Sequence, residues 1–426
     1  MTDVKKVALV FGASGISGWA VTKNLLSYPT ATTFDRVIGL MHRSRTIAET
    51  GLPQDPRLEL YSGVDLRTNL ETVKRQMQER ILNLDQVTHV YYLAYSNATA
   101  YTEKVMSIKN INKDMTNNTV HAVNTLCSRL QFFVLQTGTN HYGVAVFQHI
   151  DKIEINPPLR ENNPRIPSPY GDEIFYYDQV DLIKVAAKGK SWKWCEVRPD
   201  QIIGYVPNVS GMTFVEPLAL YLALYRFVNG PGASVMFPGT KTNFTYTFTD
   251  SSQDLISKSE IYLSVVQPEQ ANGEAFNIAD TDLPGSWSVK WPILAEYFGL
   301  KGAGPGETGW VDIEEWWNEH QDDYRRMCQT YCLEHRDLPP SSWVFIKVGF
   351  TLLDRNREMS LDKIRGVGFK EEIPAGEGYI VALERIAEAK LIPSQRALST
   401  SPFSQPEPSK VLDQYPVKDK ASHVSA

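Results

Sequence analysis

Five consecutive apolar, β-prone residues, Val7 to Phe11, run straight into Gly12-Ala-Ser-Gly15-Ile-Ser-Gly18, and a helical stretch begins near Trp19. Strand, glycine turn and helix in immediate succession constrain a fold more tightly than any other pattern in this chain. The first glycine supplies the tight turn, the second lets the backbone approach a pyrophosphate, and the third lets the helix pack close to the strand. The helix N-terminus then offers free N–H groups and the positive end of its dipole to phosphates. Gly12, Ser14, Gly15, Ile16 and Gly18 are therefore the expected cofactor-binding residues of the turn.

Further short β-prone runs follow at Arg36 to Leu40, Leu58 to Tyr61, Val87 to Ala94, Gln131 to Leu135 and Trp194 to Val197. The segments between them are long enough for crossover helices, which predicts an α/β fold with a doubly wound parallel sheet of the Rossmann type over residues 1–204. Beyond Gly204 the pattern changes. Pro217 to Val228 and Ser286 to Phe298 read as helices around a short strand at Phe276 to Ile278, and helical patterning resumes at Ile313 to Cys332 and Ala382 to Lys390. Residues 205–392 are read as a smaller, mainly helical substrate lobe with some elements returning to the core. Residues 393–426, rich in Ser, Pro, Gln and Lys, are read as a flexible tail.

Composition excludes several functions. A net charge of −6 with no basic run gives no field for a phosphate backbone, so no nucleic-acid partner is expected. Four cysteines are too few for a disulfide framework in 426 residues and are read as reduced thiols. Cys328 and Cys332 share a helical spacing, but no histidine cluster accompanies them, so packing is preferred over metal binding. The absence of a leader pattern or of an uncharged apolar stretch of about 18 residues predicts a cytoplasmic protein without a membrane partner.

Cofactor choice is expected at the end of the second strand, where an NAD site needs an acidic residue on the ribose hydroxyls. Here the sequence reads Met41-His42-Arg43. The Arg43 guanidinium suits a 2′-phosphate and predicts NADP(H). Asp35 precedes the strand and lies at its wrong end. Asp65 and Leu66, after the third strand, are placed to flank adenine, with Asp65 alternatively capping a helix.

A Tyr-x-x-x-Lys pair is missing: four residues after Tyr176 stands Val180, and four after Tyr177 stands Asp181. Present instead are Leu135-Gln-Thr-Gly-Thr-Asn-His-Tyr142, Phe175-Tyr-Tyr-Asp178, Val197-Arg-Pro-Asp-Gln-Ile-Ile-Gly204 and Thr88-His-Val-Tyr-Tyr-Leu-Ala94, then Phe237-Pro-Gly239, Ala275-Phe-Asn-Ile278 and Trp287 to Pro292. Ordered along the chain over roughly residues 5–392, they resemble the progesterone 5β-reductase/iridoid synthase-like family of extended short-chain dehydrogenases/reductases. The resemblance implies that Tyr176 hydrogen-bonds a substrate carbonyl oxygen while NADPH delivers hydride to the β-carbon of an enone. It also implies a lysine at the position held here by Asn140, an amide with no charge to stabilise an enolate. Lys152 is the nearest ammonium in sequence, with no geometric reason to replace it.

Within these segments Thr137 and Ile203 are assigned to the cofactor, and Tyr95 to cofactor and substrate; Ser96 and Asn97 follow it at the same edge. Tyr142 and Phe214 are assigned to the substrate, although Tyr142 and His141 read equally well as a hydrogen-bonded structural pair. Arg198 reads as a structural anchor. Phe214, Tyr221, Trp287 and Trp291 suggest a small apolar carbonyl substrate, as in terpenoid or polyketide metabolism. The leading expectation is reduction of an activated C=C bond, with a homodimer possible. A redox-silent isomerase or cyclase, motivated by Asn140, and a nucleotide-binding regulator are the alternatives.

Overall fold

The computed structural model describes residues 5–96, 105–208, 211–307 and 310–399. Seven parallel strands form its main sheet: β1 (Val7–Phe11), β2 (Arg36–Met41), β3 (Leu58–Ser62), β4 (His89–Tyr92), β5 (Phe132–Gln136), β6 (Lys193–Pro199) and β7 (Glu274–Ile278). Their order is β7-β6-β5-β4-β1-β2-β3. Winding reverses at β1, which pairs with β2 on one side and β4 on the other. Such a switch point opens a crevice at the carboxyl ends of the strands, where open α/β sheets bind ligands.

Helices α1 (Ile16–Asn24), α2 (Leu70–Arg80), α3 (Val105–Leu126), α4 (Phe175–Ala187) and α5 (Gln253–Val265) cover the two faces. Every residue of β1 is buried, as expected for a strand with helices on both sides. Alternate side chains therefore enter different cores. Ala8 and Val10 pack with Trp19 and Val21 of α1 and with Leu255 and Ile256 of α5. Val7, Leu9 and Phe11 pack with Val73 and Met77 of α2, Val123 of α3 and Ile183 of α4. Each fully buried aliphatic or phenyl group contributes about 1.5–3 kcal/mol relative to exposure.

Phe276 to Ile278, read as a short strand within residues 205–392, belongs to an element that returns to the core and joins the main sheet. As β7 it is registered on β6 from Glu274↔Cys195 to Ile278↔Pro199 and covers an edge that would otherwise expose unpaired backbone groups. The chain forms two compact units: Met1–Thr213 with Phe248–Pro284 and Asn356–Tyr379, and Phe214–Thr247 with Gly285–Arg355 and Ile380–Ala426. The first unit is thus re-entered twice, unlike the single boundary after residue 204, because Met359, Leu361, Ile364 and Phe369 complete the core that contains Ala8 and Val10.

The second unit is built on aromatic packing. Phe350 meets Phe214, Phe237 and Trp287 with ring centroids 5.4, 5.1 and 5.0 Å away. The helix expected from Ile313 to Cys332 divides into Ile313–Glu319 and Gln321–Tyr331. His320 Nδ1 donates at 2.8 Å to the Trp316 carbonyl, the acceptor that a continuing helix would give to the His320 N–H. Residues Gln395–Ser399 are helical and Leu398 is buried, so the expected tail is ordered at its start; residues 400–426 of it lie outside the described residues. No helix among the described residues is long and apolar enough to cross a membrane.

Candidate active site

The glycine turn has the shape that its sequence implies. Gly12 has φ +88°, and a Cβ there would lie 2.8 Å from the Leu93 carbonyl oxygen. A Cβ on Gly18 would lie 2.1 Å from the Gly12 oxygen, so the close passage of α1 over β1 requires hydrogen at that position. Gly15 differs. A Cβ there would be 3.4 Å from its nearest neighbour, so the protein alone nearly tolerates a side chain, and the space left matches the approach of a ligand. Gly15 caps α1 without a side-chain hydrogen bond, and the first turn of the helix contains no acidic residue. The backbone donors there suit a dinucleotide pyrophosphate. Ser14 and Ile16 lie in the same turn, and the Ser14 carbonyl accepts from Asn208 Nδ2 at 2.7 Å.

Arg43 follows β2 at the carboxyl edge, exposed and without an ion pair among the described residues. Asp35, at the opposite end of the strand, accepts from the Lys6 N–H at 3.1 Å. Asp65 pairs with Arg67 at 2.8 Å, which depresses its pKa through that side-chain hydrogen bond. It does not cap α2: Asn69 does, accepting from the Thr72 N–H at 2.9 Å. Leu66 is buried in the core, its backbone oxygen held by Asn118 at 3.0 Å.

At the end of β5 the chain turns through Thr139–Tyr142. Tyr176, in the first turn of α4, brings its hydroxyl over this segment: a Cβ on Gly138 would lie 3.6 Å from it and 3.3 Å from the Pro199 oxygen. Burial raises the Tyr176 pKa well above that of a free phenol, and the Tyr95 phenol and Glu196 carboxylate act in the same direction. Tyr176 is consequently a neutral donor at physiological pH. Asn140 is partly spent on the turn itself, its Oδ1 accepting from the Ala145 N–H at 3.0 Å. Lys152 is exposed and paired with Asp151 at 3.0 Å.

Beneath this turn lies a buried polar network absent from the sequence reading. Glu196 of β6 is 1% exposed. It accepts from Thr137 Oγ1 at 2.6 Å and from Arg198 at 2.7 Å, with His141 Nδ1 3.4 Å away. Burial works to raise the Glu196 carboxyl, but His141 and Arg198 outweigh it and hold it at about 2. Thr137 therefore directs its hydroxyl into the protein, and Arg198 is the anchor expected of it. Nearby, Thr139 donates to Asp200 at 2.9 Å, and Arg357 pairs with Asp200 at 3.3 Å. Glu196, a carboxylate within the otherwise apolar stretch 194–197 of a central strand, was the signal for this network, since a charge buried in a strand needs partners.

Two residues assigned to the substrate are buried. Tyr142 is 4% exposed in the sheet core; its hydroxyl donates to Asn277 at 2.6 Å and accepts from Arg198 at 3.1 Å. Phe214 is 1% exposed and packs in the aromatic core of the second unit. Tyr221, Trp287 and Trp291 are likewise buried and pack against aromatic neighbours. Ile203 is buried in the strand Gln201–Ile203, which pairs with Asp250–Ser252. Tyr95, in contrast, is 44% exposed at the carboxyl edge of the sheet, and Asn97 lies outside the described residues.

A family model described as a PRISE-like Rossmann-fold domain matches residues 8–393. The short chain dehydrogenase ausT of Aspergillus calidoustus is 53% identical over 395 residues, which span 93% of this chain and 96% of that protein. The 3-oxo-Delta(4,5)-steroid 5-beta-reductase of Arabidopsis thaliana is 27% identical over 391 residues, 91% of this chain and 94% of that one. Among solved structures, UDP-glucose 4-epimerase of Thermotoga maritima has a TM-score of 0.57 at 14% identity, covering 90% of this chain and 99% of its own, a likeness of fold alone.

Proposed function

Because the chain belongs to the PRISE-like Rossmann-fold family and is a short-chain dehydrogenase/reductase-type oxidoreductase, we propose that it reduces the C=C bond of an activated enone or enal with NADPH. The observation that carries this reading is Tyr176, a phenol kept neutral by burial with its hydroxyl over Gly138 at the carboxyl edge of the sheet. The Arabidopsis relative is named for reduction of a conjugated 3-oxo steroid, the same reaction class.

The glycine turn and the start of α1 would hold the pyrophosphate, and Arg43 the 2′-phosphate. Bound there, the reduced nicotinamide supplies a hydride to the β-carbon of the substrate. The π electrons of the C=C bond then move toward the carbonyl, and negative charge develops on its oxygen. Tyr176 donates a hydrogen bond to that oxygen and retains its proton. Solvent protonates the α-carbon, completing addition of two hydrogens across the bond. A preorganised donor of this kind contributes about 100- to 1,000-fold to turnover.

The test is NADPH oxidation, followed by nicotinamide absorbance, with 2-cyclohexen-1-one and product identification. Tyr176→Phe should lower turnover far more than substrate affinity, because the charge that it meets exists only in the transition state. Wild-type turnover in Tyr176→Phe would refute the assignment. Asn140 favours a second reading, a redox-silent isomerase or cyclase in which Tyr176 polarises a carbonyl without a charged partner. That enzyme would transform its substrate with no net loss of NADPH.

A further inference from the structure

Strands β4 and β5 are registered with Tyr92 opposite Leu135. Beyond that pair the two chains run on at the carboxyl edge to Tyr95 and to Gly138, the glycine beneath the Tyr176 hydroxyl. Ring contacts agree with this placement. Tyr95 stacks on Phe175 with centroids 5.9 Å apart and planes at 27°, and Phe175 meets Tyr176 edge-on at 4.6 Å. Two phenols thus flank one phenyl ring at the carboxyl edge of the central strands.

The Tyr95 backbone is held from the next residue. Asn112 of α3, fully buried, accepts from the Ser96 N–H and donates to the Ser96 oxygen, both at 2.9 Å. Despite this clamp and the stacking, Tyr95 remains 44% exposed, and it is the only aromatic among the exposed large hydrophobic residues described. An exposed phenol stacked at the ligand-binding edge of an open sheet is placed to meet a ligand. Tyr95 also adds to the upward shift of the Tyr176 pKa, which favours the neutral, donating form of Tyr176.

We propose that Tyr95 is a second hydrogen-bond donor to the substrate's carbonyl oxygen, acting beside Tyr176. The oxygen that develops charge would then meet two neutral phenols, in a chain whose Asn140 supplies no ammonium. This assignment rests on the enone-reductase reading for the identity of that oxygen, but the pair of donors is testable without turnover.

The probe is 4-nitrophenol, whose phenolate mimics an enolate oxygen and whose absorbance reports its ionisation when bound. It is titrated into the full chain saturated with NADP+, in wild type, Tyr95→Phe and Tyr95→Leu. The wild type should bind the phenolate in preference to the phenol. Tyr95→Phe, which keeps the stacked ring, should weaken phenolate binding about tenfold. Wild-type phenolate affinity in Tyr95→Phe, with loss only in Tyr95→Leu, would overturn the proposal and leave Tyr95 a stacking residue. Failure of the wild type to prefer the phenolate would overturn it as well. NADPH oxidation with 2-cyclohexen-1-one is measured in parallel: its absence from the wild type refutes the reductase reading and leaves the phenolate result to decide on Tyr95.

Discussion

Replacing Asn140 by lysine restores the ammonium implied by the family resemblance, and the structure indicates what the exchange gives up. Asn140 Oδ1 accepts from the Ala145 N–H at 3.0 Å, a partly exposed hydrogen bond that lysine cannot make. Its loss should cost about 0.5–1.5 kcal/mol of stability, a fall of about one degree in Tm for a chain of 426 residues. A hydrogen bond from a charged donor to the developing oxyanion is worth about 1.5–3 kcal/mol, which corresponds to roughly 10- to 150-fold in turnover. Stability and activity should therefore move in opposite directions. The assay pairs thermal unfolding with initial rates of NADPH-dependent reduction of 2-cyclohexen-1-one, and the gain should appear in kcat more than in KM. A variant that keeps its Tm but reduces the enone no faster than wild type would show that residue 140 does not reach the reacting oxygen. Faster loss of a native activity that consumes no NADPH would favour the redox-silent enzyme.

Arg43→Ala should raise the Kd for NADPH by roughly tenfold, toward the lower end for charged hydrogen bonds because the side chain is exposed, and leave that for NADH nearly unchanged; equal weakening of both in a fluorescence titration would exclude a 2′-phosphate contact. Gly15→Ala should fold with near-wild-type Tm but bind NADPH poorly, whereas Gly18→Ala, with its Cβ 2.1 Å from a backbone oxygen, should fail to give stable protein; unimpaired binding by Gly15→Ala would deny a close approach of pyrophosphate at that glycine. Glu196 has a folded pKa of about 2 against an ordinary 4.5, so its contribution to stability is present above about 4.5 and is lost as pH falls toward 2. Chemical denaturation across that window should show the loss in wild type and a flatter profile in Glu196→Gln; parallel profiles would mean that the pair is not ionised as described.

The parallel strands were legible because a strand covered on both faces reads as an unbroken apolar run, as in Val7–Phe11 and Phe132–Leu135. Gly18 was legible because the contact that fixes it, the Gly12 oxygen, lies within the motif, whereas the contact that fixes Gly12 comes from Leu93 beyond β4. Side-chain roles were harder to read. Whether Tyr142 faces a substrate depends on Asn277 and Arg198, which come from other strands and engage its hydroxyl completely. The same holds for Phe214, whose surroundings are supplied by residues 287, 345 and 350. Neither composition nor spacing shows which aromatic residue fills a core and which is left exposed, as Tyr95 is. The placement of β7 escaped for another reason: Ala275 to Ile278 is too short to announce its partner, and only the β6 edge determines it.

The two returns of the chain to the first unit bear on how the protein is made. Ala8 and Val10 leave the ribosome long before Ile278, Met359, Leu361 and Phe369, which enter the same core. During most of translation that face of the nascent sheet lacks part of its cover, and the β6 edge is open until residues 274–278 emerge. Contacts so distant in sequence close slowly, and exposed strand edges invite pairing with other chains. A fragment ending near Gly204 would keep every glycine of the nucleotide turn and still lack β7, α5 and the 356–379 segment. Such a fragment should be recovered as aggregate, and native yield should depend on chaperones that shelter the incomplete sheet until synthesis passes residue 379.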